Sequence, residues 1–209
     1  MSLRQQVTEQ HDAAIPKRGD PLPSRPGARR LKAPVVPPVL ETQRLILRAP
    51  ALADFPFYAA QRADPLVMKF LGKGDLLSEE EAWLRFQSML GHWTLMGYGT
   101  WTVEEKSSGG YVGSIGFTNK MRPKEHPASG APEMGWSLSA AAHGKGYATE
   151  GVAAALTWGH EFFGAGARTV CVISTDNEAS LRVAEKSGFR QFATATRYGL
   201  GRLVFEREL

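Results

Sequence analysis

Residues 133–155 constrain the fold more than any other stretch of this chain. They read Glu-Met-Gly-Trp-Ser-Leu-Ser-Ala-Ala-Ala-His-Gly-Lys-Gly-Tyr-Ala-Thr-Glu-Gly-Val-Ala-Ala-Ala. Met134, Trp136 and Leu138 alternate with Gly135, Ser137 and Ser139, which is the period of a strand. Val152, Ala155, Leu156, Gly159, Phe162 and Phe163 then recur near the 3.6 period of a helix. The connection between them holds Gly144 and Gly146, which reach positive φ at no Cβ cost and let backbone approach a ligand. The free N–H groups of the helix start, at the positive end of its dipole, suit a phosphate. A strand that simply has to turn into a helix uses similar residues, so this stretch alone leaves both readings open.

The chain has 209 residues, enough for one domain with its own core. No run approaches the roughly 18 apolar residues of a membrane span, and the N-terminus lacks an apolar signal core. Cys171 is the lone cysteine, which excludes an internal disulfide and fits a reducing, cytoplasmic setting. The histidines show no metal-ligand spacing, so no metal is expected. The net charge is +4, and it resides in residues 1–40, which hold 7 of the 13 prolines and a surplus of basic residues. That composition predicts an extended or disordered arm. A solvated leader is preferred to a contact with RNA or ribosome, and residues 41–209 form the domain.

Along the domain, residues 41–48 read as a first strand and residues 50–71 as a helical region broken at Pro65. Ser78 followed by Glu79, Glu80 and Glu81 reads as a capped helix start, with Trp83, Phe86, Leu90 and Trp93 on one face. Residues 98–105 and 111–118 read as a hairpin, and 119–132 as a polar loop. After the central strand and helix come a strand at 169–175 and a short helix at 178–187. Two final strands occupy 189–196 and 203–208. The order predicts an α/β fold.

This order, with two local signatures, resembles the GNAT superfamily, the GCN5-related N-acetyltransferases, and most nearly its ribosomal-protein N-terminal acetyltransferase branch. The likeness covers about residues 40–209. The first signature is His143-Gly144-Lys145-Gly146-Tyr147-Ala148, similar to the family's Gln/Arg-x-x-Gly-x-Gly/Ala loop, with His143 as a departure at the first position. The second is Asn177-Glu178-Ala179-Ser180, then Val183-Ala184-Glu185-Lys186-Ser187-Gly188-Phe189. The resemblance implies a single mixed sheet of about seven strands, splayed in the middle, with helices on both faces. It implies acetyl-CoA as co-substrate. Trp136, Ser137 and Leu138 would offer backbone to the pantetheine arm. His143, Gly144, Lys145, Gly146, Tyr147 and Ala148 would hold the diphosphate, and Asn177 would bond the arm near the thioester. The plain alternatives are a core Trp136, a solvated Lys145 and a helix-capping Asn177.

The chemistry so implied is attack by a neutral amine on a thioester. At pH 7 a lysine amine costs about 4.6 kcal/mol to deprotonate, and an α-amine only about 1.4 kcal/mol. Glu133, at the start of the strand that would line the cofactor, is the candidate base, directly or through a water. Its plain alternative is a surface carboxylate. Many relatives carry a tyrosine acid where this chain has Ala184, which leaves Ser180 as the remaining hydroxyl, either acid or helix cap. This mild machinery points to an α-amine or another amine of low pKa. The acceptor, a protein N-terminal amine or a small-molecule amine, would meet a pocket walled by Met68, Phe70, Trp93 and Met96, with His92 and Tyr198 as polar groups. A homodimer is left open. The competing function is a non-catalytic acyl-CoA-binding domain. A P-loop enzyme is disfavoured, since Gly-x-x-x-x-Gly-Lys-Ser/Thr is absent.

Overall fold

Short apolar alternations pair into one eight-stranded sheet in this computed structural model, which describes residues 35–209. The strands are β1 (Leu40–Glu41), β2 (Leu45–Arg48), β3 (Thr100–Glu105), β4 (Tyr111–Thr118), β5 (Glu133–Leu138), β6 (Arg168–Ser174), β7 (Arg190–Arg197) and β8 (Leu200–Glu208). Their order across the sheet is β1-β2-β3-β4-β5-β6-β8-β7. Every pairing is antiparallel except β5 with β6. The reading of residues 1–40 as an arm falls mostly outside the described residues. Within them, the Pro38 carbonyl accepts a hydrogen bond from the Trp101 indole at 2.8 Å.

The count of about seven strands becomes eight because the first predicted strand reverses inside itself. Thr42 N–H donates to the Leu45 carbonyl at 3.0 Å, and Leu45 N–H donates to Thr42 Oγ1 at 2.8 Å. This turn sets Leu40 opposite Leu47 in β1 and β2. The last strand also begins earlier than expected, at Leu200.

The helices are α1 (Phe55–Arg62), α2 (Pro65–Met68), α3 (Glu79–Met96), α4 (Tyr147–Phe163) and α5 (Glu178–Lys186). The break at Pro65 has a clear cause. Asp64 caps α2 by accepting from Leu66 N–H at 2.8 Å, and Pro65 fills the first position, where no N–H is needed. In α3, Ser78 and Glu81 form a reciprocal capping box, and Gly97 ends the helix at φ 75°. α1 is fixed at its entry by Arg48, which grips Asp54 through two bonds of 2.8 Å. Burial pushes the Asp54 carboxyl up, but Arg48 and the Ala51 N–H prevail and hold it below its usual range.

Leu45, Leu47, Trp101, Val103, Ile115, Phe117, Met134 and Leu138 form one face of the sheet. They bury against Val152, Ala155 and Leu156 of α4 and Ala184 of α5. Each fully buried Leu or Phe of this kind contributes about 1.5–3 kcal/mol. Trp93, Trp101 and Trp158 meet edge to face, with centroids 4.9–5.7 Å apart. A second cluster, Tyr58, Met68, Leu77, Ala82, Phe86 and Met89, joins α1 and α2 to the first half of α3. The fold is thus a mixed α/β sheet with helices over both faces.

Two glycines separate packing from backbone freedom. A Cβ at Gly159 would lie 2.7 Å from the ring of Phe117, which is fully buried and cannot yield. A Cβ at Gly91, on the exposed side of α3, would meet nothing within 4 Å. Gly159→Leu is therefore expected to lose about 1–3 kcal/mol by overpacking, lowering Tm by roughly 2–4 °C per kcal/mol. Gly91→Ala is expected to gain about 0.5–1 kcal/mol. Thermal unfolding of the two variants checks both signs.

Candidate active site

The sheet opens where β5 meets β6. These strands share one register pair, Glu133 with Val170, reinforced by Val170 N–H to the Pro132 carbonyl at 3.1 Å. Beyond it β5 stays on β4 through Leu138, while β6 stays on β8 through Ser174. Ser139 N–H donates to Val112 O at 2.9 Å, so the odd positions of β5 bond to β4. The N–H and C=O groups of Trp136 and Leu138, beyond the bridge, therefore point into the gap. His143 Nε2 takes the Leu138 carbonyl at 3.1 Å.

A cleft of about 540 Å³ occupies this gap. It gathers nearly all the residues singled out in the sequence: Trp136, Ser137, Leu138, His143, Gly144, Gly146, Tyr147, Ala148, Asn177 and Ser180. Lys145 and Glu133 are not on its walls. The Lys145 ammonium lies 5.9 Å from the Tyr147 ring. Glu133 stands at the far end of β5.

The loop into α4 has the geometry of a phosphate cradle. Gly144 and Gly146 lie at φ 75° and 79°, which only glycine adopts without strain. A Cβ on Gly144 would meet nothing within 4 Å, so the space over it is open. Gly146 precedes the first turn of α4, and among the described residues no side chain caps it. Its orphan N–H groups are thus free for a ligand.

Residues the sequence reading did not select hold this loop in place. Arg44, in the turn between β1 and β2, donates to the Lys145 carbonyl at 2.9 Å and pairs with Glu150 at 2.6 Å. Glu150 also accepts from Thr42 Oγ1 at 2.6 Å and from Arg44 N–H at 2.8 Å. The Arg44 guanidinium sits 4.7 Å over the Tyr147 ring, and the Tyr147 hydroxyl donates to Glu105. The only signal available in the sequence was a carboxylate in the first helical turn.

Opposite the loop, Asn177 caps α5, its Oδ1 accepting from Ser180 N–H at 3.1 Å. Its Nδ2 group remains available to the cleft. Ser180 Oγ accepts from Trp136 Nε1 at 3.2 Å, which leaves its own proton to donate elsewhere. Cys171 is buried, and burial pushes its thiol up.

On the other face of β5 stand the side chains of Glu133, Gly135 and Ser137. Glu133 Oε2 is shared by Arg122 Nε at 2.8 Å and Nη2 at 2.6 Å, while Oε1 has no partner among the described residues. Gly135 is exposed, and a Cβ there would meet nothing within 4 Å. Ser137 Oγ accepts from Arg62 Nη1 at 3.1 Å, and its carbonyl accepts from Gln61 Nε2 at 2.9 Å.

The proposed acceptor walls need correction. Trp93 and Met68 are core, 1% and 2% exposed, and Met96 packs against the main core. Phe70 alone of the four lines the cleft. His92 is structural: its Nε2 accepts from Asn119 N–H at 2.9 Å, and its Nδ1 donates to the Tyr98 carbonyl at 2.7 Å. Tyr198 is at the β7–β8 turn, its ring 5.3 Å from the Lys73 ammonium.

With this geometry in view, the comparisons with known proteins are decisive. The sequence profile of the acetyltransferase (GNAT) domain matches residues 44–190. The chain belongs to the GNAT acetyltransferase family. Among its GNAT relatives, the uncharacterized N-acetyltransferase YoaA of Bacillus subtilis is 28% identical over 161 residues, covering 77% of this chain and 88% of YoaA. An acetyltransferase structure from Agrobacterium tumefaciens superposes with TM-score 0.69 at 30% identity, over 87% of this chain and 99% of that one. The ribosomal L7/L12 α-N-protein acetyltransferase RimL, solved with coenzyme A, shares the GNAT fold at TM-score 0.66 and 18% identity, over 82% and 98% of the two chains.

His92 gives this GNAT domain a pH dependence. Burial lowers its pKa, the Tyr98 carbonyl opposes, and Lys120 adds to the depression. An unfolded His titrates near about 6.5. Below that the unfolded chain binds a proton the folded ring refuses, so stability falls as pH drops through that value. His126 shifts in the same direction, chiefly through burial. Denaturant titrations at about pH 7 and pH 5 are expected to show this loss, reduced but not abolished in His92→Gln.

Proposed function

We propose that this GNAT domain moves an acetyl group from acetyl-CoA to a primary amine, which attacks the thioester directly. The observation that carries the reading is one cleft that joins an open strand edge to a helix start with free N–H groups. These residues fit the co-substrate. Gly144 leaves open space for a phosphate, and the backbone of Lys145, Gly146, Tyr147 and Ala148 supplies donors, with His143 holding the strand end beside them. Trp136, Ser137 and Leu138 line the path of the pantetheine arm, and the Asn177 amide faces its thioester end. When bound, the thioester supplies an electrophilic carbonyl and a thiolate leaving group.

The chain's own residues then divide the proton work. Glu133 Oε1 takes the amine proton, directly or through a water. Ser180, whose oxygen is engaged by Trp136, directs its proton toward the charge that gathers on the leaving sulfur. The bare surface over Gly135 admits the acceptor, either a protein N-terminal amine or a small-molecule amine. An amine near pKa 8 suits this modest set, since its deprotonation costs about 1.4 kcal/mol at pH 7. A non-catalytic acyl-CoA-binding role is the second reading, favoured by the ion pair that already engages Glu133.

Calorimetry with coenzyme A and thiol release from acetyl-CoA across a panel of amines, N-terminal peptides included, test the proposal. Binding with turnover supports it, binding without turnover favours the second reading, and no binding overturns both. Glu133→Gln is expected to lower kcat/KM at least about a hundredfold with coenzyme A affinity retained. Ser180→Ala is expected to lower kcat by about tenfold, with KM for acetyl-CoA nearly unchanged. Steady-state kinetics read both.

A further inference from the structure

Several cations lie over the face of β5 that carries Glu133, Gly135 and Ser137. Arg122 sits on Glu133, at the end of β5 away from the glycine loop, and Arg62 sits on Ser137, which also lines the cleft. Here Lys120 has Arg62, Arg122 and Arg197 as its cationic neighbours. Glu133 is the one carboxylate acting on it, and both of Arg122's bonds already fall on Glu133.

Arg62 is the most telling member. Its guanidinium lies 4.7 Å over the Tyr58 ring and donates to the neutral hydroxyl of Ser137. Its Nε is buried with no hydrogen-bond partner. It is also fixed: the adjacent Gln61, 3% exposed, is clamped between the Tyr111 hydroxyl at 3.0 Å and the Ser137 carbonyl at 2.9 Å. Arg197, at the end of β7, donates to the Tyr198 hydroxyl at 3.3 Å. Among the described residues, Arg62, Lys120 and Arg197 form no salt bridge. A buried guanidinium nitrogen left unpaired is costly, and like charges brought together add to that cost. Lys120 registers it: burial first, then Arg197, Arg122 and Arg62, push its ammonium down against the opposing pull of Glu133. Lys120 is itself an exposed residue.

We infer that the amine acceptor carries an anionic group, a carboxylate or a phosphate, which Arg62, Lys120 and Arg197 hold beside the bare surface of Gly135. This deepens the acetyl-transfer reading and rests on it. A planar guanidinium with a fixed orientation pairs with either anion through two parallel bonds, and the anion relieves the repulsion among the cations. It also places the amine next to Glu133.

Binding to the protein saturated with coenzyme A tests this without requiring turnover. The probes are matched pairs titrated by calorimetry: amino acids against their amides for the carboxylate, and O-phosphoethanolamine against ethanolamine for the phosphate. At least one acidic member is expected to bind about tenfold more tightly than its neutral match. Lys120→Gln and Arg197→Gln are each expected to shrink that preference severalfold while coenzyme A affinity stays unchanged. Arg62→Gln is expected to do the same, and the two exposed-site variants carry the test if it unfolds. Equal binding of acid and neutral match in every pair, absence of binding by both included, overturns the inference, as does a preference that survives all three variants. Coenzyme A binding in the same titrations separates this failure from failure of the acetyl-transfer reading.

Discussion

The parting of β5 from β6 is the constraint on which the site depends. Each strand is held to its own antiparallel partner, β5 along β4 and β6 along β8, and the two halves of the sheet touch in parallel only at Glu133 and Val170. A continuous sheet would have consumed the N–H and C=O groups of Trp136 and Leu138. The gap leaves them facing a cleft, where buried polar backbone calls for a partner. α4 and α5 flank the gap, so one opening collects a strand edge, a helix start and the Asn177 cap.

The glycine loop into α4 is held in place from outside. It has two left-handed glycines and a helix start with no side-chain cap among the described residues. Arg44 and Thr42, brought by the unexpected reversal between β1 and β2, tie down Lys145 and Glu150 from outside. The ion pair itself, with Arg44 largely solvated, is a modest source of stability. Its larger contribution is geometric, because Arg44 bonds the loop backbone and the helix carboxylate at once.

How much of this was legible follows from the range of each interaction. The strand, glycine turn and helix of residues 133–163 were readable because period, glycine and cap are local. So were the Ser78 capping box and the break at Pro65. The reversal at Thr42 was not, since Leu45 and Leu47 fit one long strand as well as two short ones. His92, Trp93 and Met68 looked like pocket groups only while their partners were unknown. The Asn119 N–H, the Trp101 and Trp158 rings and the α1–α3 cluster are all remote in sequence. Arg44, Arg62, Lys120 and Arg122 were invisible for the same reason: a surface cation and a site cation look alike in sequence.

The two faces of β5 then divide the work of the domain. Met134 and Leu138 sit in the main core and fix the strand, so a change there acts through stability. Trp136, between them, is only half-buried and reaches Ser180, which links the core face to the cleft. On the opposite face the alternation gives Glu133, Gly135 and Ser137, two polar groups flanking a vacancy where any larger side chain would intrude. Strand alternation forces this arrangement: whatever holds β5 rigidly from one side cannot also contact the acceptor. On the proposed reading, groups that choose the acceptor come from elements crossing the free face, namely α1, the loop after β4 and the β7–β8 hairpin. These are the elements that carry Arg62, Lys120 and Arg197, and Arg62 meets the cleft at Ser137.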